Sequence, residues 1–198
     1  PGVRYDWNND GGIINPVKLV FVPRTYVENF RTSTRLDEDE AVIRADLMLE
    51  SRDVNSTEEV TFAIPDLGVE STVQVNAGET ETVEVRVPLS DIELWSPENP
   101  KLYRTEVSTR HETLVDEIGY REIRTEGRQV LLNGEPIRLY GVATHSEFKD
   151  TGRTATPEGI DELITRAKEL GVNFIRCAHY PYAEQWGRAL DRAGLLWW

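Results

Sequence analysis

The chain has 198 residues, of which 39% are hydrophobic and 29% are charged, and its formal net charge at pH 7 is −13. This composition is typical of a globular protein, and the acidic balance argues against binding to nucleic acid, which requires a basic face. No stretch approaches the roughly 18 consecutive apolar residues of a membrane-spanning helix, and no secretory signal peptide is recognised.

Short strands separated by turns are predicted throughout residues 17–124. Apolar and polar residues alternate most clearly at 41–50 (AVIRADLMLE) and 82–89 (TVEVRVPL), which is the pattern of a strand with one buried face. Similar runs occur at 17–22, 59–64, 69–75, 102–109 and 114–123. Turn-rich segments such as LDEDE, NAGET and SPENP separate the strands. Seven short strands in succession predict an antiparallel sandwich of the immunoglobulin type, although the Cys-Trp-Cys core of antibody domains is absent.

From residue 125 onward the pattern changes to strands that alternate with helices. Asn133-Gly134 lies between two apolar runs and predicts a two-residue hairpin. Further strands are predicted at 137–144, 172–178 and 195–198, with helices between them at 156–171 and 183–193. This succession predicts parallel strands joined by crossover helices.

Each predicted helix has one apolar face and recognisable ends. Thr156 is expected to cap the first helix and Pro157 to begin it, and Gly171 and Gly194 follow the two C-termini. The apolar residues of the first helix recur at helical spacing: Ile160, Leu163, Ile164, Ala167 and Leu170. Those of the second helix are Trp186, Ala189, Leu190 and Ala193.

The last predicted strands carry a recognisable group of residues. The second ends in Arg176-Cys177-Ala178-His179-Tyr180-Pro181, and the chain closes with DRAGLLWW. These residues resemble the signature of glycoside hydrolase family 2, the β-galactosidase, β-glucuronidase and β-mannosidase family. Four other segments resemble the family in the same order: GGI with PV at 11–17, LWSPENP at 94–100, LNGEP at 132–136, and GVATH with DTGR at 141–153.

The resemblance implies a division of the chain into three parts. Residues 1–16 would be the tail of an upstream sugar-binding-type domain, and 17–124 an immunoglobulin-like β-sandwich. Residues 125–198 would be the first βαβαβ part of a truncated (β/α)8 TIM barrel, so the fold class is mixed all-β plus α/β.

The resemblance also implies an activity. The parent protein would be a retaining, exo-acting β-glycosidase of the β-galactosidase type that hydrolyses O-glycosidic bonds without a cofactor. Its partner would be a β-linked sugar or oligosaccharide. The sequence does not exclude a homo-oligomer. The family's acid/base and nucleophile glutamates would follow the fourth and seventh barrel strands, beyond Trp198. The 198-residue chain alone is therefore predicted to be inactive.

Five residues receive roles from the same resemblance. Arg176 would orient the missing nucleophile and keep it ionised. The predicted sugar contacts are His145, Glu147, His179 and Tyr180. The loop reads GVATHSE where the family usually has Gly-Val-Asn-Arg-His-Glu-Asp, so the resemblance does not name the sugar.

Simpler interpretations stay open for these residues. Arg176 could be an ordinary ion-pair partner, His145 a hydrogen-bonded loop histidine, and Glu147 a solvated loop acid. Cys177 is the single cysteine, which excludes an internal disulfide and fits a reducing, cytoplasmic compartment. No metal site is predicted, because Cys177 and the two histidines lack a fourth ligand. The alternative function is a non-catalytic sandwich that serves as a scaffold or binds a carbohydrate or a partner.

Overall fold

The computed structural model describes residues 11–53 and 56–198. Contacts divide the chain into two compact units, Val20–Ile137 and Arg138–Trp198, and residues 11–19 belong with the second. Most of the predicted upstream tail, residues 1–10, lies outside the described residues. Residues 11–16 contain no helix or strand.

Two antiparallel sheets dominate the first unit. Their strands in the described residues are β1 (Thr25–Asp37), β2 (Glu40–Ser51), β3 (Thr57–Ile64), β4 (Val69–Asn76), β5 (Thr80–Pro88), β6 (Tyr103–Ser108) and β7 (Thr113–Ile118). One sheet has the order β1-β2-β5 and the other β4-β3-β6-β7. The predicted antiparallel sandwich is confirmed.

The core of the sandwich is formed by the residues that alternate along its strands. In β2, Ile43 and Leu47 are buried whereas Arg44 between them is exposed. Both apolar side chains belong to one cluster with Phe62 of β3 and Val107 of β6, which lie in the other sheet. The period-two pattern therefore identifies the buried face of each sheet.

The predicted strand at 17–22 is wrong. These residues form no strand, and Val17, Leu19 and Phe21 are 77%, 82% and 88% exposed. The seventh strand is β1, whose polar sequence pairs with β2 along its length. None of its residues after Val27 is fully buried, because an edge strand is held mainly by backbone hydrogen bonds to one neighbour.

A smaller sheet follows the sandwich strands. It contains β8 (Ile123–Glu126), β9 (Gln129–Leu132) and β10 (Glu135–Ile137) in the order β10-β9-β8. The predicted hairpin is confirmed, because Asn133 and Gly134 join β9 to β10 with φ angles of 53° and 85°. A turn with two positive φ angles matches the twist of the strands it connects.

The second unit contains a parallel sheet with two helices. The strands β11 (Gly141–Thr144), β12 (Phe174–Cys177) and β13 (Leu196–Trp197) lie in that order. Helix α1 (Pro157–Glu169) follows β11, and α2 (Glu184–Ala193) follows β12. The predicted βαβαβ succession is confirmed as an open sheet, although β11 is shorter than the strand predicted at 137–144. Among the described residues no helix has the length and apolar character needed to cross a membrane.

The ends of α1 agree with the sequence prediction, whereas one residue of its predicted apolar face does not. Thr156 Oγ1 accepts a hydrogen bond from the Gly159 N–H at 3.1 Å, and Pro157 begins α1. Leu170 is 73% exposed, so its place on the predicted apolar face is wrong. It ends the helix as its C-cap instead. The helices, β12 and the residue just before β13 form a second core: Ile160, Ile164, Ala167, Ile175, Trp186, Ala189, Leu190 and Leu195.

Candidate functional site

The carboxyl ends of β11 and β12 bring the predicted site residues together. The parallel register pairs Thr144 with Cys177, so both strands end at the same level. His145 directly follows β11, and His179 and Tyr180 lie just after β12. This edge of a (β/α)8 barrel carries the reacting groups in enzymes of that fold.

One guanidinium and two imidazole rings meet at this edge. Arg176 Nη2 lies 3.3 Å from His179 Nδ1. The rings of His145 and His179 meet edge to face, with centroids 5.4 Å apart. The peptide bond that joins Ala178 to His179 is cis. His145 is half-buried and His179 is exposed, so both lie at the surface of the unit.

Tyr180 joins the two loops through its hydroxyl group. The oxygen accepts a hydrogen bond from the Ser146 N–H at 3.0 Å and lies 3.5 Å from His145 Nδ1. The rings of Tyr180 and His145 have centroids 6.0 Å apart. We refer to Arg176, His145, His179 and Tyr180 as the Arg176 cluster.

Glu147 lies at a different cavity. It lines a space of about 620 Å³ together with the loop 148–151 and the side of α1 that extends to Arg166, and none of the Arg176 cluster lines this space. Its N–H donates to the His145 carbonyl at 2.9 Å. Its predicted role as a sugar contact stays a prediction.

Two residues that the sequence did not single out contact Tyr180. The Arg153 guanidinium carbon lies 4.1 Å from the centroid of the Tyr180 ring. The Tyr182 ring stacks on the Tyr180 ring at a centroid distance of 5.4 Å and an angle of 13°. No spacing along the chain indicates either contact, and Arg153 entered the sequence analysis only through its place in DTGR.

Tyr182 also connects the two strand ends. Its hydroxyl donates to the Thr144 carbonyl at 2.5 Å, and the Ala178 carbonyl lies at 3.2 Å. Burial is the main cause that raises the pKa of Tyr182 above the usual value, so its hydroxyl stays protonated as a donor.

Cys177 and the histidines do not suggest metal chemistry. The thiol is half-buried, and burial raises the pKa of Cys177 to about 11, which is typical of an unreactive structural cysteine. Within residues 11–53 and 56–198, no group of three or more His, Cys, Asp and Glu side chains has a geometry suited to a metal ion. The cluster therefore offers a cation and hydrogen-bonding groups.

Comparison with known families gives two matches that together span most of the chain. Residues 25–121 match the model described as glycosyl hydrolases family 2, and residues 123–197 match the TIM barrel domain of the same family. The resemblance predicted from the sequence is thereby confirmed. The predicted domain boundaries themselves stay predictions.

Solved structures of similar fold agree with this assignment. The β-galacturonidase of Eisenbergiella tayi bound to galacturonate is 26% identical, with a TM-score of 0.76 over 89% of this chain and 32% of that one. The β-glucuronidase 3 of Bacteroides uniformis is 27% identical, with a TM-score of 0.70 over 90% of this chain and 23% of that one. The Parabacteroides merdae β-glucuronidase, at 21% identity and a TM-score of 0.75 over 90% of this chain and 24% of that one, shows the same fold.

The chain thus spans between 23% and 32% of the length of these relatives. It belongs to glycosyl hydrolases family 2 and comprises that family's sandwich domain followed by the first part of its TIM barrel.

Proposed function

We propose that the chain is part of a retaining β-glycosidase and that the Arg176 cluster forms one side of its sugar site. The observation that carries this proposal is the meeting of the Arg176 guanidinium with two imidazole rings at the carboxyl ends of adjacent parallel strands. Membership of a glycosidase family supports it, because that edge of the barrel is where the family's fold carries its chemistry.

Arg176 is suited to act on a carboxylate. A retaining glycosidase uses two carboxyl groups about 5 Å apart, one as the nucleophile and the other as the acid/base. A guanidinium beside the nucleophile lowers the pKa of that carboxyl and fixes its orientation through charge-assisted hydrogen bonds. We infer that Arg176 does this for a glutamate supplied by a later part of the barrel.

The histidines are suited to hold sugar hydroxyl groups. A neutral imidazole has one N–H donor and one acceptor nitrogen, which matches the donor and acceptor character of a hydroxyl. His145 and His179 meet from two adjacent loops, so they can address neighbouring hydroxyls of one ring. Hydrogen bonds of this kind strengthen as the sugar becomes oxocarbenium-like in the transition state.

The class of sugar is proposed from the relatives. The family resemblance implied a glycosidase of the β-galactosidase type without naming the sugar, whereas the relatives at 26% and 27% identity are a β-galacturonidase and a β-glucuronidase. We therefore place a β-linked hexuronide ahead of a β-galactoside as the expected substrate. The galactoside remains the first comparison to make.

The proposal is tested with the protein expressed from the full coding region that contains this chain. It is assayed with the 4-nitrophenyl β-glycosides of glucuronic acid, galacturonic acid, galactose and mannose. We expect turnover of a uronide, and we expect none from the 198-residue chain alone, whose β11, β12 and β13 form only part of an eight-stranded barrel. A folded full-length protein that hydrolyses none of the four would indicate a non-catalytic scaffold or binding module.

A further inference from the structure

The two histidines of the Arg176 cluster each have a potential hydrogen-bond donor beside Nδ1. A guanidinium carries only donors, so the Arg176 Nη2 that lies 3.3 Å from His179 Nδ1 requires that nitrogen to accept. A neutral imidazole with an accepting Nδ1 carries its proton on Nε2. His179 is therefore expected as the Nε2–H tautomer.

Tyr180 places a comparable donor beside His145. The Tyr180 oxygen accepts from the Ser146 N–H at 3.0 Å, and the hydroxyl can also donate its own proton. His145 Nδ1 lies 3.5 Å from that oxygen. When the hydroxyl donates to Nδ1, His145 also becomes the Nε2–H tautomer and presents that N–H as a donor.

The ring of Tyr180 is held by two residues outside the cluster. Arg153 lies over the ring at 4.1 Å from its centroid, and Tyr182 stacks on it at an angle of 13°. Tyr182 is itself fixed, because its hydroxyl donates to the Thr144 carbonyl at 2.5 Å and its ring meets buried Trp186 edge to face at 5.1 Å. The position of the Tyr180 hydroxyl thus depends on contacts that reach the core of the unit.

The contact leaves one buried donor of Arg153 without an acceptor in the described part of the chain. The Arg153 Nε is buried and has no hydrogen-bond acceptor among the described residues. A buried donor without an acceptor lowers stability. Stacking of a guanidinium on an aromatic ring offsets part of that loss and limits the orientations of both groups.

We propose that Arg153 and Tyr182 are positioning residues that fix Tyr180 so that its hydroxyl holds His145 as the Nε2–H tautomer. Residues that set the tautomer of a functional histidine act in this way around many metal and catalytic sites. A single tautomer would present the same donor to every incoming sugar. The role of these residues in sugar binding rests on the proposed function, whereas the tautomer can be measured without any substrate.

The test uses two-bond 1H–15N correlation spectra of the 15N-labelled 198-residue chain at pH 9, where an ordinary imidazole is neutral. The chain has three histidines, and the third, His111, lies in the sandwich unit and serves as an internal control. The spectra distinguish a protonated ring nitrogen from an accepting one. We expect both His145 and His179 to carry their proton on Nε2.

Three variants separate positioning from simple packing. Tyr180→Phe removes the donor, and the tautomer ratio of His145 is expected to change about fivefold, the equilibrium effect of one net hydrogen bond. Arg153→Met keeps a long side chain without the guanidinium, and Tyr182→Phe keeps the ring without the hydroxyl. Both are expected to change the His145 ratio in the same direction, and His111 should keep its wild-type shifts.

The inference is overturned if wild-type His145 carries its proton on Nδ1, a result that needs no variant and no refolding. It is also overturned if Tyr180→Phe changes the ratio while Arg153→Met and Tyr182→Phe leave it at the wild-type value. Amide signals of Ile164 and Ile175, which lie in the core of the unit, identify any variant that fails to fold. Arg153→Lys then replaces Arg153→Met. Because no substrate is used, a wrong tautomer is distinguishable from an absence of glycosidase activity.

Discussion

Replacing Asn133 by alanine is expected to destabilise the sandwich unit by about 2–5 kcal/mol. The side chain makes two hydrogen bonds at 3.0 Å, accepting from the Glu122 N–H through Oδ1 and donating to the Trp95 carbonyl through Nδ2. Each is worth about 0.5–1.5 kcal/mol net. The residue also has a φ of 53°, a left-handed conformation that costs alanine about 1–2 kcal/mol.

Replacement of Asn133 by glycine separates the two contributions. Glycine adopts positive φ angles without steric cost, so this variant loses the hydrogen bonds but avoids the backbone strain. We expect Asn133→Gly to cost about 1–3 kcal/mol, less than Asn133→Ala by roughly the left-handed penalty.

Native-state hydrogen exchange measures the stability of the sandwich unit in both variants. It does not require the whole chain to unfold in one transition. The amides of Ile43 and Phe62, which lie in the core of the sandwich, exchange only through large-scale opening of that unit. Their opening free energies report the stability of the unit directly. The reasoning is refuted if both variants lie within about 0.5 kcal/mol of wild type, the range of an ordinary surface substitution. Equal losses for alanine and glycine would refute the part played by the φ angle.

Three further predictions follow from single contacts. Gly119→Ala would place a Cβ 2.4 Å from Trp95 Cδ1, and this overpacking should lower the free energy of unfolding by about 1–3 kcal/mol. The loss should appear as a lower urea midpoint, and an unchanged midpoint would contradict the prediction. Thr156→Ala removes the acceptor for the Gly159 N–H and should reduce hydrogen-exchange protection of α1 by about 1 kcal/mol, whereas Thr156→Ser should stay close to wild type. Equal protection in both variants would count against the cap. Burial raises the pKa of Cys177 from 9.0 to about 11, so at pH 8 iodoacetamide should alkylate it about a hundredfold more slowly than an ordinary thiol, because only the thiolate reacts. The rate should rise about tenfold per pH unit towards pH 10, and a plateau below that pH would show that the thiolate forms more easily.

Local patterns predicted the parts of the fold that depend on neighbouring residues. The alternation in β2, the Asn133-Gly134 hairpin and the Thr156 cap each depend on a few consecutive positions. The strand predicted at 17–22 rested on hydrophobicity alone. The strand that the sequence missed, β1, is an edge strand held by backbone pairing, which leaves little trace in its side chains.

The candidate site could be predicted in part for a similar reason. Parallel strands bring their carboxyl ends to one edge, so placing His145 and Arg176 at strand ends was enough to expect them close together. The contacts of Arg153 and Tyr182 depend on the paths of two loops through space. No spacing along the chain encodes those paths, so the residues that hold Tyr180 could not be identified from sequence.

The most direct test of the central claim is the effect of Arg176→Ala on kcat/KM in the protein expressed from the full coding region. Arg192→Ala, which removes an exposed arginine side chain from the last turn of α2, is the matched control. If Arg176 orients the nucleophile, kcat/KM for the preferred β-glycoside should fall by about 10²–10³, mainly through kcat, while the control keeps the wild-type value. A folded Arg176→Ala protein with wild-type kcat/KM would contradict the assignment of this cluster to the sugar site.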